Sequence, residues 1–149
     1  MGRFMQRDAN GCGDRARTLD RVKDFVFFFG LGVLFTHELD AMPNHEWRVL
    51  PLVRLLPEEM GMNVFVVAHV PLFAFLIALV ASPNSRIRTV TKLVVSGFLV
   101  LHGFLHTLFA SHPKYEFSSF LSDSLILGAA VPGGAYIALE IRSTYLSGT

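Results

Sequence analysis

The sequence predicts an all-α integral membrane protein, built as a four-transmembrane-helix up-and-down bundle with both termini in the cytoplasm. Three observations lead to this prediction. Of the 149 residues, 52% are hydrophobic and only 17% are charged, a composition typical of membrane-spanning chains. Four apolar segments are separated by short, proline-containing turns. Ten of the 13 lysines and arginines flank the predicted inner ends of these segments, and such an excess marks the cytoplasmic side.

Composition also divides the chain along its length. Residues 1–20 are polar and lack periodicity, which predicts a disordered cytoplasmic tail. Residues 21–142 form the predicted transmembrane domain, and residues 143–149 a short tail. No small-residue cleavage pattern follows the first apolar run, so the first helix is expected to be an uncleaved anchor. The single cysteine, Cys12, lies in the tail, which excludes a disulfide framework or a thiolate metal cluster.

The first helix is predicted over about residues 19–42 and contains the most informative stretch of the chain. Its apolar run, Phe25 to Phe35, is only eleven residues long, whereas a helix needs about 20 residues to cross a bilayer. To span, the helix must continue through the polar residues that follow, up to Pro43, which ends it, or tilt very little in a thinned membrane. It then carries three ionisable side chains at the edge of the hydrocarbon, namely His37, Glu38 and Asp40. Such residues cost a few kcal/mol unless paired or coordinated, and they therefore indicate a functional site.

The other three helices are predicted at about residues 58–81, 89–110 and 117–141. Pro57 followed by two glutamates suits a helix start. Pro132-Gly133-Gly134 in the last helix predicts a kink or a point of close helix packing. The segment from His45 to Leu56 is too short to span and is broken by proline, so it is expected to lie at the interface, with Trp47 at the headgroup level.

Ionisable residues in the helices are predicted to lie in one leaflet, the outer one, although the helices alternate in direction. His102 and His106 are four residues apart and therefore share a helix face. Imidazoles and carboxylates without thiolates suit zinc, iron or manganese. The predicted metal ligands are His37, His69, His102 and His106. Three acids are predicted to act as a ligand, as a partner of a ligand or as a general base, namely Asp40, Glu38 and Asp123.

Each of these residues also has a simpler interpretation. A lone intramembrane histidine often makes only a helix–helix hydrogen bond, and Asp123, near a helix end, is equally expected to be solvated. His45 and His112 are expected to be surface residues. Glu46 is expected to anchor the interfacial segment, although it could fold back over the site. The grouping of four histidines and several acids in one leaflet favours a metal site over a purely structural polar network.

The motifs His37-Glu38-Leu39-Asp40-Ala41 and Glu46-Trp47-Arg48 add a family resemblance. With a histidine in a later helix and Val131-Pro132-Gly133 in the last one, the chain resembles small four-helix bacterial membrane proteins grouped by an HXXEE motif, and related families of unknown function. The likeness covers about Phe25 to Leu139. It implies the four-helix fold and an enzymatic chemistry without a known substrate.

Three functions are compatible with these residues. The first is a metal-dependent membrane hydrolase or oxidoreductase acting on a lipophilic or interfacial substrate, with Asp40 or Glu38 moving the proton. The second is a b-type haem electron carrier with His69 and His102 as axial ligands, which leaves His37 unexplained. The third is a transporter or scaffold subunit, for which polar residues are expected in both leaflets.

The expected partners follow from the same pattern. They are the lipid bilayer and a lipophilic small molecule, and the expected location is the inner cell membrane, crossed several times by the chain. With a formal charge of +1, nothing indicates binding to nucleic acid. The sequence does not predict the oligomeric state.

Overall fold

The computed structural model describes the backbone of residues 2–147 and the side chains of residue 14 and residues 17–145. The fold is all-α, and no strand occurs in residues 2–147. The four helices are α1 (Gly2–Ala41), α2 (Glu58–Val80), α3 (Ser85–Phe109) and α4 (Phe120–Ser147). Two single-turn 3₁₀ segments, Glu46–Arg48 and Val53–Leu55, lie between α1 and α2. The all-α fold class predicted from the sequence is thus confirmed.

Helix α1 begins much earlier than the sequence predicts. It starts at Gly2 rather than near residue 19, so it covers most of the segment that the polar composition assigned to a disordered tail. No proline precedes Pro43, and therefore no residue of this segment removes a helical hydrogen bond or clashes with the preceding turn. The cytoplasmic location of the segment stays a prediction.

Three helices are long and apolar enough to cross a membrane: Glu58–Val80, Ser85–Phe109 and Phe120–Tyr145. In the first of them, only 6% of the most apolar window is buried inside the protein. Nearly all of α2 therefore faces its surroundings, as suits a helix in contact with lipid. Helix α1 is not among the three in the part of the chain described, since its apolar run ends at Phe35. A fourth span stays a prediction.

Helix α4 packs against both α1 and α3 through small residues. A Cβ atom added at Gly133 would lie 2.7 Å from the Ser96 carbonyl oxygen, and one at Gly103 would lie 3.1 Å from the Ala130 Cβ. Small residues at such contacts let helix backbones approach closely in membranes. Helix α4 also runs unbroken through Pro132, and the close packing predicted for this stretch is what the structure shows.

Two apolar clusters of buried side chains enclose a polar layer. The Phe27 cluster comprises Phe27, Leu31, Leu34, Leu99, Ala129 and Tyr136. The Trp47 cluster comprises Ala41, Trp47, Phe65, Phe117 and Ile126. Along α1, His37 lies between Leu34 of the first cluster and Ala41 of the second. The polar layer around His37 is therefore shielded on both sides by packed apolar side chains.

Two lysines tie the helices together beyond the Phe27 cluster, at the end away from His37. The buried Lys92 on α3 donates to Asp24 of α1 at 2.6 Å and lies over the Phe27 ring, 5.6 Å from its centroid. Lys23 of α1 donates to Glu140 of α4 at 3.0 Å. These pairs join α1 to α3 and to α4 at that end.

Candidate metal centre

Four buried side chains bring their donor atoms together between the two apolar clusters: His37, Glu46, His102 and His106. One possible ligand atom of each lies within 4.8 Å of those of the other three. None of the four residues is more than 8% exposed. The three imidazole centroids are 4.5 to 4.9 Å apart. Three of the four histidines predicted as ligands are therefore neighbours.

The helical repeat that builds the core also places the histidines in it. On α3, His102 and His106 follow Leu99 at spacings of three and four, and all three are buried. On α1, His37 follows the buried Leu34 by three residues. Residues three and four apart lie on one face of a helix. Since α1 and α3 each bury that face, the imidazoles point into the protein rather than toward lipid.

Glu46 joins the histidines because the chain turns back after α1. His45 adopts the left-handed conformation, with φ 48° and ψ 46°, which is uncommon for residues other than glycine. The turn leads into the first 3₁₀ segment and places Glu46 Oε2 3.6 Å from His37 Nε2 and Glu46 Oε1 3.8 Å from His106 Nε2. The sequence favours an interfacial anchor for Glu46, with folding back over the site as the alternative, and the alternative is the arrangement that the structure has. The sequence signals for it are the position nine residues after His37, beyond a helix-ending proline, and the motif Glu46-Trp47-Arg48.

Several atoms of this group are buried without a hydrogen-bond partner in the part of the chain that the structure describes. They are both ring nitrogens of His37, Nε2 of His102 and Oε2 of Glu46. Most buried polar atoms in proteins are paired, and leaving one unpaired costs about 1–3 kcal/mol. A hydrogen-bonded network that leaves four such atoms unpaired would therefore lose several kcal/mol of folding free energy. A cation would bind the Glu46 oxygen, the His102 nitrogen and one of the two His37 nitrogens, since a neutral imidazole has one lone-pair nitrogen.

The geometry fits a small divalent ion with modest adjustment. Donor atoms around four-coordinate zinc lie about 3.3 Å apart, because each bond is about 2.0–2.1 Å long. The 3.6 and 3.8 Å separations from Glu46 are close to this value, and the limit of 4.8 Å for the whole set requires inward movements of about 1 Å or less. Three imidazoles and one carboxylate suit zinc, iron or manganese.

Burial makes Glu46 the proton-sensitive member of the group. Desolvation, with a further contribution from the nearby Glu38 carboxylate, raises the pKa of Glu46 to about 8. With no cation beside it, Glu46 is therefore protonated at neutral pH. A cation bound by the three histidines favours the carboxylate and releases that proton.

Tyr115, on the loop between α3 and α4, orients one of the histidines. Its hydroxyl lies 3.1 Å from His106 Nδ1. When Nδ1 donates to this oxygen, Nε2 carries the lone pair and faces Glu46, as in metal sites where a second partner fixes the tautomer. Burial, then the charges of Asp123 and Glu46, raise the pKa of Tyr115 to about 12, so its hydroxyl keeps its proton. No spacing in the sequence indicates this contact.

His69, the fourth predicted ligand, lies outside the group and pairs with Glu38. His69 Nδ1 is 2.7 Å from the Phe65 carbonyl oxygen, and Nε2 is 3.0 Å from Glu38 Oε2. A carbonyl oxygen only accepts, so Nδ1 must carry a hydrogen. One more proton lies between Nε2 and Oε2, which makes the pair neutral overall. Both ring nitrogens of His69 are thus engaged, and Glu38 ties α1 to α2.

The two remaining predicted residues lie close to the group without belonging to it. Asp40 is half-buried, and its Oδ2 atom is buried without a hydrogen-bond partner within the described side chains. It follows His37 by three residues on the same face of α1. Asp123 is exposed in the first turn of α4. It lines a cleft that His106 also lines.

A polar clasp, formed by Arg48, Glu58, Glu116 and His45, holds the turn that carries Glu46. Arg48 donates to Glu116 at 2.6 Å and to Glu58 at 2.9 Å. His45 Nδ1 lies 2.8 Å from Glu116 Oε2. Trp47 donates to Glu58 at 3.0 Å. The clasp joins the first 3₁₀ segment to the start of α2 and to the α3–α4 loop, so that Glu46 stays over the histidines.

Comparison with known proteins yields one family match. The model of a family of unknown function matches residues 23–143, which include all four donor residues. No curated protein and no solved structure matches the chain. An uncharacterised family is what the sequence resemblance implied, whereas the relation to HXXEE-type proteins stays a prediction.

Proposed function

We propose a metal-dependent membrane enzyme for this chain, which belongs to the DUF6713 family of unknown function. The observation that carries the proposal is the convergence of three imidazoles and one carboxylate, all buried and within 4.8 Å of one another. Structural polar networks pair their buried atoms, whereas four atoms of this group have no hydrogen-bond partner among the residues described. A bound cation accounts for three of them, and the second ring nitrogen of His37 is left to donate to the Asp40 carboxylate on the same face of α1.

The donors stand on different secondary-structure elements, and we assign their roles from this difference. His37, His102 and His106 stand on helices and hold the ion, which is zinc, iron or manganese. The ion would polarise a carbonyl group or lower the pKa of a bound water. Glu46 stands on a short 3₁₀ segment that the clasp holds in place, so a substrate would displace this one carboxylate from the ion without moving a helix. Its carboxylate then accepts a proton from the attacking group as a general base.

The predicted acids act around this group in different ways. Asp40, next to His37, has a buried oxygen that can accept a hydrogen from the imidazole nitrogen that faces away from the ion, as carboxylates do in many metal sites. Glu38 already shares a proton with His69. Zinc would support hydrolysis, because it lowers the pKa of a bound water and polarises a carbonyl group, while iron or manganese would also permit oxidation.

The membrane setting restricts the substrate. Three helices are long and apolar enough to span, and we infer that α1 is a fourth span that reaches the far side by way of its polar end. The excess of positive residues at the Lys23 and Lys92 end indicates that both termini are cytoplasmic. The centre then lies in the outer leaflet of the inner cell membrane. A substrate that reaches it there is lipophilic or interfacial.

The haem alternative receives less support. It requires axial coordination by His69 and His102, but both nitrogens of His69 make short contacts with Phe65 and Glu38. It also gives no role to Glu46 and His37, whose side chains lie 3.6 Å apart. The non-enzymatic alternative, a transporter or scaffold subunit, conflicts with the unpartnered atoms, because a stable network would satisfy them.

Metal analysis of the purified protein tests the proposal. The wild type is expected to hold about one equivalent of zinc, iron or manganese, and His102→Ala to lose it, because one of four donors is removed. His112→Ala is the matched control, since His112 lies on the α3–α4 loop outside the group, and it should retain the metal. Wild-type protein that contains no metal and does not take up zinc, iron or manganese would overturn the proposal.

A further inference from the structure

A cleft between the ends of α3 and α4 leads to the candidate metal centre. It is lined by His106, Thr107, Ala110, Tyr115, Phe117, Asp123, Ile126 and Leu127. His106 belongs to both the cleft and the donor group, so the cleft ends at the centre. On the outside, Leu127 and Val131 follow one another along α4 and are 57% and 72% exposed. An apolar path therefore continues from the cleft along the lipid-facing side of α4.

The cleft is negative and aromatic near the centre. The Asp123 side chain makes no ion pair or hydrogen bond among the described residues. Its charge acts on Tyr115, which lines the same cleft. The Phe117 ring lies 4.9 Å from the His106 ring and 5.4 Å from the Tyr115 ring, measured between centroids. An unpaired carboxylate beside aromatic rings attracts a protonated amine by charge and by cation–π contact, and it repels an anion.

We propose that this cleft binds a long-chain amine or amino alcohol, with its ammonium group at Asp123 and its chain along Leu127 and Val131. The assignment rests on the proposed function, because it makes the cleft the route by which the substrate reaches the metal centre. It adds the substrate class: a cationic amphiphile without a phosphate or carboxylate. The carboxylate of Asp123 contributes selectivity for the charge, and the apolar wall binds the chain.

Photolabelling in neutral phosphatidylcholine nanodiscs tests the cleft with two probes of equal chain length. Both carry a diazirine next to the headgroup, and the headgroup is a primary amine in one and a carboxylate in the other. Labelled residues are mapped by mass spectrometry. In wild type the amine probe should label the cleft about tenfold more than the acid probe, since one charge-assisted contact contributes about 1.4 kcal/mol or more.

Two variants and two matched controls make the test specific. Asp123→Asn should bring the two probes close to parity. Leu127→Trp should abolish cleft labelling by both, because the indole fills the space. Glu59→Gln is the control for charge, as Glu59 is an exposed acid in the first turn of α2 that lines a separate hollow. Leu101→Trp is the control for bulk, at a residue of α3 that is 51% exposed and outside the cleft.

The outcomes separate this inference from the proposed function. Metal content is measured on the same samples, and both cleft variants should keep the wild-type content because neither changes a donor. Bound metal with equal labelling by both probes, or labelling spread evenly over the lipid-facing helices, overturns the cleft assignment alone. Selective amine labelling in a protein that takes up no metal upholds the cleft as a binding site and overturns the metal enzyme.

Discussion

His37 Nε2 and Glu46 Oε2 face each other at 3.6 Å across the turn that ends α1. Both residues are buried, and neither of these two atoms has a hydrogen-bond partner among the described residues. The left-handed backbone at His45 makes this approach possible within a nine-residue separation. His37 and Glu46, which are close in the chain, therefore form one group with His102 and His106 of α3.

Metal removal should destabilise the wild-type protein. An ion that binds only the folded state stabilises it by about 2.7 kcal/mol at a free concentration of 100 times Kd, so chelation should lower the apparent melting temperature by about 5–10 °C. His102→Ala should start from the lower temperature and not respond to chelator. Thermal melts in detergent with and without chelator measure this effect. A wild type indifferent to exhaustive chelation would contradict the metal centre.

Metal affinity should depend on pH through Glu46, whose pKa burial raises to about 8. Below that pH the cation must displace a proton, so the apparent affinity should rise about tenfold per pH unit up to about 8 and then level off. The metal-free protein should behave oppositely. Its folded state holds a proton that the unfolded state has released, so its stability should fall as pH rises from about 4.5 to 8.

Competition with a metal indicator at several pH values measures that slope. Glu46→Gln should bind metal more weakly and with a shallower pH dependence, because its amide has no proton to release. Equal slopes in the two proteins would show that another group supplies the proton.

Arg48→Ala should weaken metal binding although Arg48 is not a donor. The substitution removes the contacts to Glu58 and Glu116 that hold the turn, and losing such outer support costs about tenfold or more in metal affinity. Arg54→Ala is the matched control, because Arg54 is exposed on the next 3₁₀ segment and makes no described ion pair. Identical affinities for the two variants would mean that the clasp does not position Glu46.

Gly133→Ala should destabilise the packing of α3 on α4. The added Cβ would lie 2.7 Å from the Ser96 carbonyl oxygen and 2.9 Å from the Leu99 Cβ, and overpacking of this kind costs about 1–3 kcal/mol. Gly32→Ala is the control, since nothing lies within 4 Å of its added Cβ and alanine favours the helix. Thermal melts should show a lower melting temperature for the first variant only.

Topology can be tested with single cysteines in a protein whose Cys12 is replaced by serine. A membrane-impermeant thiol reagent applied to intact cells should label a cysteine at Ser111, beyond α3, and not one at Ser85, at its start. The reason is the excess of lysine and arginine at the Ser85 end. Labelling of Ser85→Cys alone would reverse the orientation.

The sequence by itself determined the helical segments and the face on which some residues lie. Prolines and apolar runs place the ends of α2 and α3 within a few residues of where they occur, because these signals act locally. The spacing of His102 and His106 likewise sets their common face, since the helical repeat is local. The start of α1 was not predictable in this way, because polar composition does not distinguish a polar helix from a disordered tail.

Only the tertiary structure decided which polar residues meet. A helical repeat gives the face of a residue but not the rotation of one helix against another, and that rotation depends on contacts such as Gly133 against Ser96. In the same way, the rotation of α2 relative to α1 turns His69 toward Glu38 rather than toward His37. The turn at His45 brings in Glu46 instead, because a single left-handed residue redirects the chain and leaves no periodic signal in the sequence.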